Sequence, residues 1–133
     1  MIIGVDLHGV IDDDPEWFRE ILLDFIGDGE YKAFTIYIIS GPSKEDIKKE
    51  LEKYKLYQGL HFDEIISVVD YLKETGAEMW QDDRGRWWTH DKEWWEVKAK
   101  ICEKYGVDLM IDDKKEWAPY FKNIETKFLL YGG

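Results

Sequence analysis

The sequence predicts an α/β domain built on a mostly parallel sheet, and three observations carry that reading. Short runs that are apolar on both faces alternate with stretches of helical period. Three of those runs close on polar side chains, at Asp6, at Ser40 and at Asp112-Asp113. The 133 residues contain no Ser/Gly/Pro-rich linker, low-complexity tract or internal repeat, so a single domain over 1–133 is expected.

Ile2 to Val5 reads as a short buried strand ending at Asp6. Asp14 and Pro15 then mark the cap and first position of a helix. Along it Trp17, Phe18, Ile21, Leu22, Phe25 and Ile26 recur at helical spacing until Gly27 stops it. Ala33 to Ile39 is a second strand, apolar on both faces as a central parallel strand should be, and it closes on Ser40-Gly41-Pro42. Ser43 followed by Asp46 signals a helix running to about Tyr54. Asp63 to Val68 predicts a third strand. Met79 to Thr89 reads as a hairpin turning at Asp82-Asp83-Arg84-Gly85, an insertion covering about residues 76–90. A helix from about Asp91 to Tyr105 stops at Gly106, and Val107 to Ile111 is the fourth strand. A short helix near Trp117 and a strand from about Lys127 to Leu130 complete five strands, with helices on both faces.

Acidic residues outnumber basic ones by 29 to 18, a net charge of −11 that repels a nucleic-acid backbone, so no nucleic-acid partner is expected. The apolar runs are too short to span a bilayer and the first residues lack a basic flank, so neither a membrane segment nor a signal peptide is expected. The lone Cys102 suits a reducing compartment, and the cytoplasm is the expected location.

In a parallel sheet the carboxyl ends of the strands open onto one edge, where ligands bind at the topological switch point. Asp6, Ser40, Asp112 and Asp113 therefore converge although they are far apart in the chain. Crowded carboxylates repel one another, so a cation is expected among them, and oxygen ligands without clustered histidine or cysteine suit Mg²⁺. Such an ion binds phosphate oxygens as well, and a phosphate site needs a fixed positive charge. Lys98 is the candidate. With Trp94 at zero, the apolar residues Val97, Ile101, Tyr105, Cys102 and Trp95 of its helix span about −60° to +100°. Lys98 falls inside that arc, near about +40°, whereas Lys92, Lys100 and Lys104 lie on the opposite face. A lysine aimed inward requires an anionic partner.

These residues resemble the haloacid dehalogenase superfamily of phosphatases and phosphotransferases. Asp6-Leu7-His8-Gly9-Val10 resembles its first motif, Ser40 its second, Lys98 its third and Asp112-Asp113 its fourth. The stretch from Lys98 to Asp113 is especially similar to the small 5′-nucleotidase branch. The resemblance implies a three-layer α/β/α Rossmann-like fold without a large cap domain, and a Mg²⁺-dependent phosphatase acting on a small phosphate monoester, nucleotides among the candidates. It makes Asp6 the nucleophile that forms an aspartyl-phosphate. Ser40, Gly41 and Lys98 bind the phosphoryl group, while Asp6, the backbone carbonyl of His8 and Asp113, with Asp112 as a further candidate, hold Mg²⁺. His8 stands where the family usually carries a second Asp as general acid and base. Imidazole can do that work near neutral pH, or its bulk can end turnover and leave a phosphate- or protein-binding domain. An uncapped site of this kind suits a large substrate or a homo-oligomer whose partner subunit supplies a lid.

Plainer roles compete for the same residues. Lys98 can snorkel to water, Asp112-Asp113 can cap the last helix, Ser40 can start a turn, and His8 can be a packing residue. Asp12 to Asp14 read as a solvated loop and helix cap, and His61 and His90 as structural or exposed. Five of the seven tryptophans lie between Trp80 and Trp95; they predict a satellite core beneath the hairpin, or else an aromatic wall facing substrate. A receiver-type signalling domain uses similar groups, but its acidic pair follows the first strand, not a late one.

Overall fold

The computed structural model describes residues 1–27 and 33–132. Its strands β1 (Ile2–Val5), β2 (Thr35–Ser40), β3 (Glu64–Ser67), β6 (Leu109–Asp112) and β7 (Lys127–Leu130) form one sheet, in the order β3-β2-β1-β6-β7. Every adjacent pair in it is parallel. The two-residue strands β4 (Trp80–Gln81) and β5 (Trp87–Trp88) pair antiparallel as a separate hairpin. The helices are α1 (Pro15–Ile26), α2 (Lys44–Lys53), α3 (Val68–Glu74) and α4 (Asp91–Tyr105).

Strand alternation sorts the apolar residues into two cores. Ile3, Val5, Ile36 and Ile38 face Phe18 and Leu22 of α1 and Ile47 and Leu51 of α2. Ile39 and Met110 face the other way, against Leu72 of α3, Val97 and Ile101 of α4, and Trp117. Helices thus cover both faces, as a sheet with runs apolar on both sides requires. No helix among the described residues is long and apolar enough to cross a membrane.

Helix α1 begins where Asp14 accepts a hydrogen bond from the Trp17 amide, 3.2 Å, and α4 ends at Gly106 in the left-handed conformation, φ 66°. Three expectations need correction. The third strand stops at Ser67, whose hydroxyl accepts from the Asp70 amide at 3.0 Å and so starts α3, a helix the sequence reading omitted. The fourth strand runs over Leu109–Asp112, two residues later than expected at its start, so Asp112 itself belongs to the sheet. The last helix is a 3₁₀ segment, Lys115–Phe121, with Pro119 inside it removing a donor that a longer α-helix would need.

Nor do the tryptophans of the hairpin region form one satellite core. Consecutive residues of a strand point to opposite sides. Trp88 is accordingly 47 % exposed beside its cross-strand partner Trp80, 44 % exposed, while Trp87 turns inward. Trp94 and Trp95 leave the hairpin altogether and pack from α4 against Trp117, with ring centroids 5.8 and 4.8 Å away.

Candidate active site at the switch point

The chain winds outward from β1 through β2 to β3, then returns to the other side of β1 with β6, so the switch point lies between β1 and β6. Register fixes which residues meet there. Val5 lies opposite Ile111, and the Asp6 amide donates to the Ile111 carbonyl at 3.0 Å. Asp6 is thereby brought beside Asp112 and Asp113, and carboxylate oxygens of all three lie within 4.8 Å of one another.

Helix α4 delivers Lys98 to the same point. Its side chain is 2 % exposed, lies 3.2 Å from Asp6 Oδ1, and is hydrogen-bonded to Asp112 Oδ2. Its ammonium also stands 4.7 Å from the Trp117 ring centroid. The lysine does not snorkel. Burial alone would pull its pKa down, but the charges of Asp6 and Asp112 outweigh that and hold it above its usual value. Burial likewise raises the Asp112 carboxyl, with Lys98 opposing and Asp6 adding to the shift. Asp113 is raised by burial and then by the charge of Asp112.

The two aspartates that end β6 have different surroundings. Asp112 is fully buried; one oxygen takes Lys98 and the other accepts from the Lys114 amide at 3.1 Å. Asp113 Oδ1 is buried with no hydrogen-bond partner among the described residues. Its carboxylate lies against Gly9: a Cβ built there would sit 2.0 Å from Asp113 Oδ2, and the backbone φ of +85° independently favours glycine. The turn carrying Gly9 is closed by Asp12, whose Oδ1 accepts from the Gly9 amide at 2.7 Å, a more specific role than the solvated loop expected of it.

Ser40 ends β2 almost completely buried, and its hydroxyl likewise has no partner among the described residues. Gly41, next in sequence, lines the cavity and faces the Trp94 ring. His8 is half exposed at the mouth, with Nε2 2.7 Å from Glu50 Oε2 of α2, a close polar contact without the alignment of a hydrogen bond. It is not a packing residue. His61 is structural: it is buried, and its Nδ1 accepts from the Tyr57 amide at 3.0 Å. His90 is exposed, 3.4 Å from Glu78.

A cavity of about 600 Å³ opens above this cluster, within the range of small-molecule sites. Asp6, Lys98 and Asp113 lie on its wall together with His8, Trp94 and Trp117. The hairpin tip, Arg84 to Trp87, contributes to the same cavity, as does Lys114. The sequence reading gave no site role to Glu50, Lys114 or the two arginines; the pattern Arg84-Gly85-Arg86 in an otherwise acidic chain was the available signal for the arginines alone. Searches of protein-family models, of curated proteins and of solved structures each find no match to this chain, so what the site does rests on its own geometry.

Proposed function

We propose that this chain is a phosphohydrolase of the haloacid dehalogenase type, which cleaves a small phosphate monoester with Mg²⁺ through an aspartyl-phosphate on Asp6. The observation that carries the proposal is the buried Asp6–Lys98–Asp112 grouping, with Asp113 beside it, at the wall of a ligand-sized cavity. The donor set fits the ion. Three carboxylates against one ammonium leave two negative charges uncompensated, all the donors are hard oxygens, and Asp113 Oδ1 has no partner. Asp6 and Asp113 would hold it, with the His8 carbonyl as the resemblance implies, while Asp112 serves Lys98. When bound, the ion supplies positive charge to the phosphoryl oxygens.

The residues of the chain then divide the work. Lys98, on the cavity wall, orients the phosphoryl oxygens, with the buried, unpartnered Ser40 hydroxyl in the role the resemblance implies. A carboxylate oxygen of Asp6 bonds to phosphorus as the ester P–O bond breaks and the alcohol departs with a proton from His8. His8 next takes a proton from water, whose oxygen attacks phosphorus. The Asp6–phosphorus bond breaks, restoring the carboxylate and releasing inorganic phosphate. Glu50, with Oε2 2.7 Å from Nε2, holds the imidazole at the mouth of the cavity through both steps.

The test is release of phosphate from a panel of esters with Mg²⁺ and with EDTA, for the natural chain and for Asp6→Asn. Mg²⁺-dependent hydrolysis that falls on the order of a thousandfold or more in the variant is expected. No release from any ester, by the natural chain or by His8→Asp, would refute the enzyme. The second reading, a domain that binds phosphate without turnover, is favoured by the bulk of His8 at the mouth; activity gained in His8→Asp would support it.

A further inference from the structure

The hairpin leans over the cavity, and the chemistry of its tip is unlike the rest of the molecule. The chain carries a net charge of −11 and only three arginines, yet two of them, Arg84 and Arg86, line the same cavity as Asp6 and Lys98. Arginine is suited to anions because its planar fork can bind two oxygens at once.

The tip is held in place by one carboxylate. Asp82 Oδ1 accepts from the Arg84 and Arg86 amides, at 2.9 and 3.0 Å. Its Oδ2 accepts from Arg86 Nε at 3.0 Å and from Trp88 Nε1 at 2.9 Å. The bond from Trp88 and those from the tip hold the Asp82 carboxyl down to about 2, which favours the ionised form that accepts all four bonds. Arg86 is committed to the tip itself, its guanidinium held by Asp82 and lying 5.8 Å from the ring centroid of the outward Trp88, whereas Arg84, on the wall of the cavity, has no side-chain partner among the described residues. Beside them Trp87, Trp94 and Trp95 present aromatic surface to the same space. Lys73 lies 3.9 Å from the Trp87 centroid, which fixes that ring from one side.

We propose that the hairpin tip is a leaving-group subsite, in which Arg84, on a tip that Arg86 and Asp82 hold in shape, binds a second anionic group of the substrate and the tryptophans hold its planar ring. The substrate class is then a phosphate monoester whose alcohol carries both a planar ring and a further phosphate or carboxylate. This rests on the phosphatase reading of the Asp6 site. Lys98 and the proposed ion neutralise the scissile phosphate; the tip neutralises the second charge, which the acidic chain would otherwise repel.

The experiment compares kcat/KM of the full chain, with Mg²⁺, on adenosine 3′,5′-bisphosphate, adenosine 5′-monophosphate and ribose 5-phosphate, for the natural protein and for R84A/R86A. The bisphosphate is expected to exceed the monophosphate by about tenfold or more, with that ratio collapsing toward one in the double variant. The monophosphate is expected to exceed ribose 5-phosphate, and Trp87→Leu to reduce that second ratio. Equal rates on the bisphosphate and monophosphate, or a ratio untouched by the double variant, would overturn the subsite while leaving the phosphatase standing. If no ester is hydrolysed, the phosphatase fails, and the subsite is read by quenching of tryptophan fluorescence with adenosine 3′,5′-bisphosphate. Saturable quenching weakened about tenfold in the double variant upholds it; no quenching removes it.

Discussion

Lys98 is enclosed by Asp6, Asp112 and the Trp117 ring, so its ammonium depends on those groups for everything that water would otherwise supply. The converse is the stronger statement. Two buried carboxylates depend on one lysine, and removing it leaves them uncompensated in a low-dielectric pocket. Lys98→Met, which keeps the volume, is expected to cost about 3–5 kcal/mol in urea unfolding. A loss below about 1 kcal/mol would mean that the carboxylates are relieved in some other way, by protonation above all. Cys102, on the same helix face, has the opposite character. Burial pushes its thiol up to about 12, so it behaves as a small apolar side chain and not as a nucleophile.

At the scale of elements, what the sequence made legible depends on how local the determining physics is. Helix α4 was readable to its ends, Asp91 and Tyr105, because apolar period and a left-handed glycine are written into neighbouring residues. Helix α3 was not, since Val68 and Val69 extend the apolar run of β3 and mask the change of period. The Ser67-to-Asp70 cap was the available signal. The hairpin was legible as a turn, but its tilt over the cavity was not, because that depends on contacts between the tip and distant elements. Its order rests on Asp82. Asp82→Ala deletes four acceptor contacts, and trypsin should then cut after Arg84 and Arg86 about tenfold faster while the rest of the chain resists. Equal cleavage rates would show the tip to be ordered by something else.

Over the whole molecule, the convergence of Asp6, Lys98, Asp112 and Asp113 was legible because a parallel sheet sends its strand ends to one edge, whereas Ser40, expected with them, ends β2 buried and does not line the cavity. The division of labour between Asp112 and Asp113 was not. It depends on which carboxylate turns into the core toward Lys98 and which lies against Gly9. Global stability has its own titrating group in His61. Burial, and then the charge of Arg19, holds its pKa below 6.5 in the folded chain, and its Nδ1 must stay unprotonated to accept from Tyr57. The unfolded chain takes up a proton as pH falls through 6.5 and the folded chain does not, so the stabilisation is complete above that pH and drains below it. The slope can reach about 1.4 kcal/mol per pH unit. His61→Gln keeps an acceptor for Tyr57 but cannot titrate, and should flatten the difference between urea midpoints at pH 7.5 and 5.5. Identical losses in both proteins would acquit His61. The position of β1 between β2 and β6 has a consequence for the birth of the molecule. Ile3 pairs with Leu109, far later in the chain, so on the ribosome the central strand waits with one edge bare until β6 has been synthesised. Asp6 therefore waits for Lys98 and Asp112 through the synthesis of everything between them, and the site comes into being only once β6 joins the sheet.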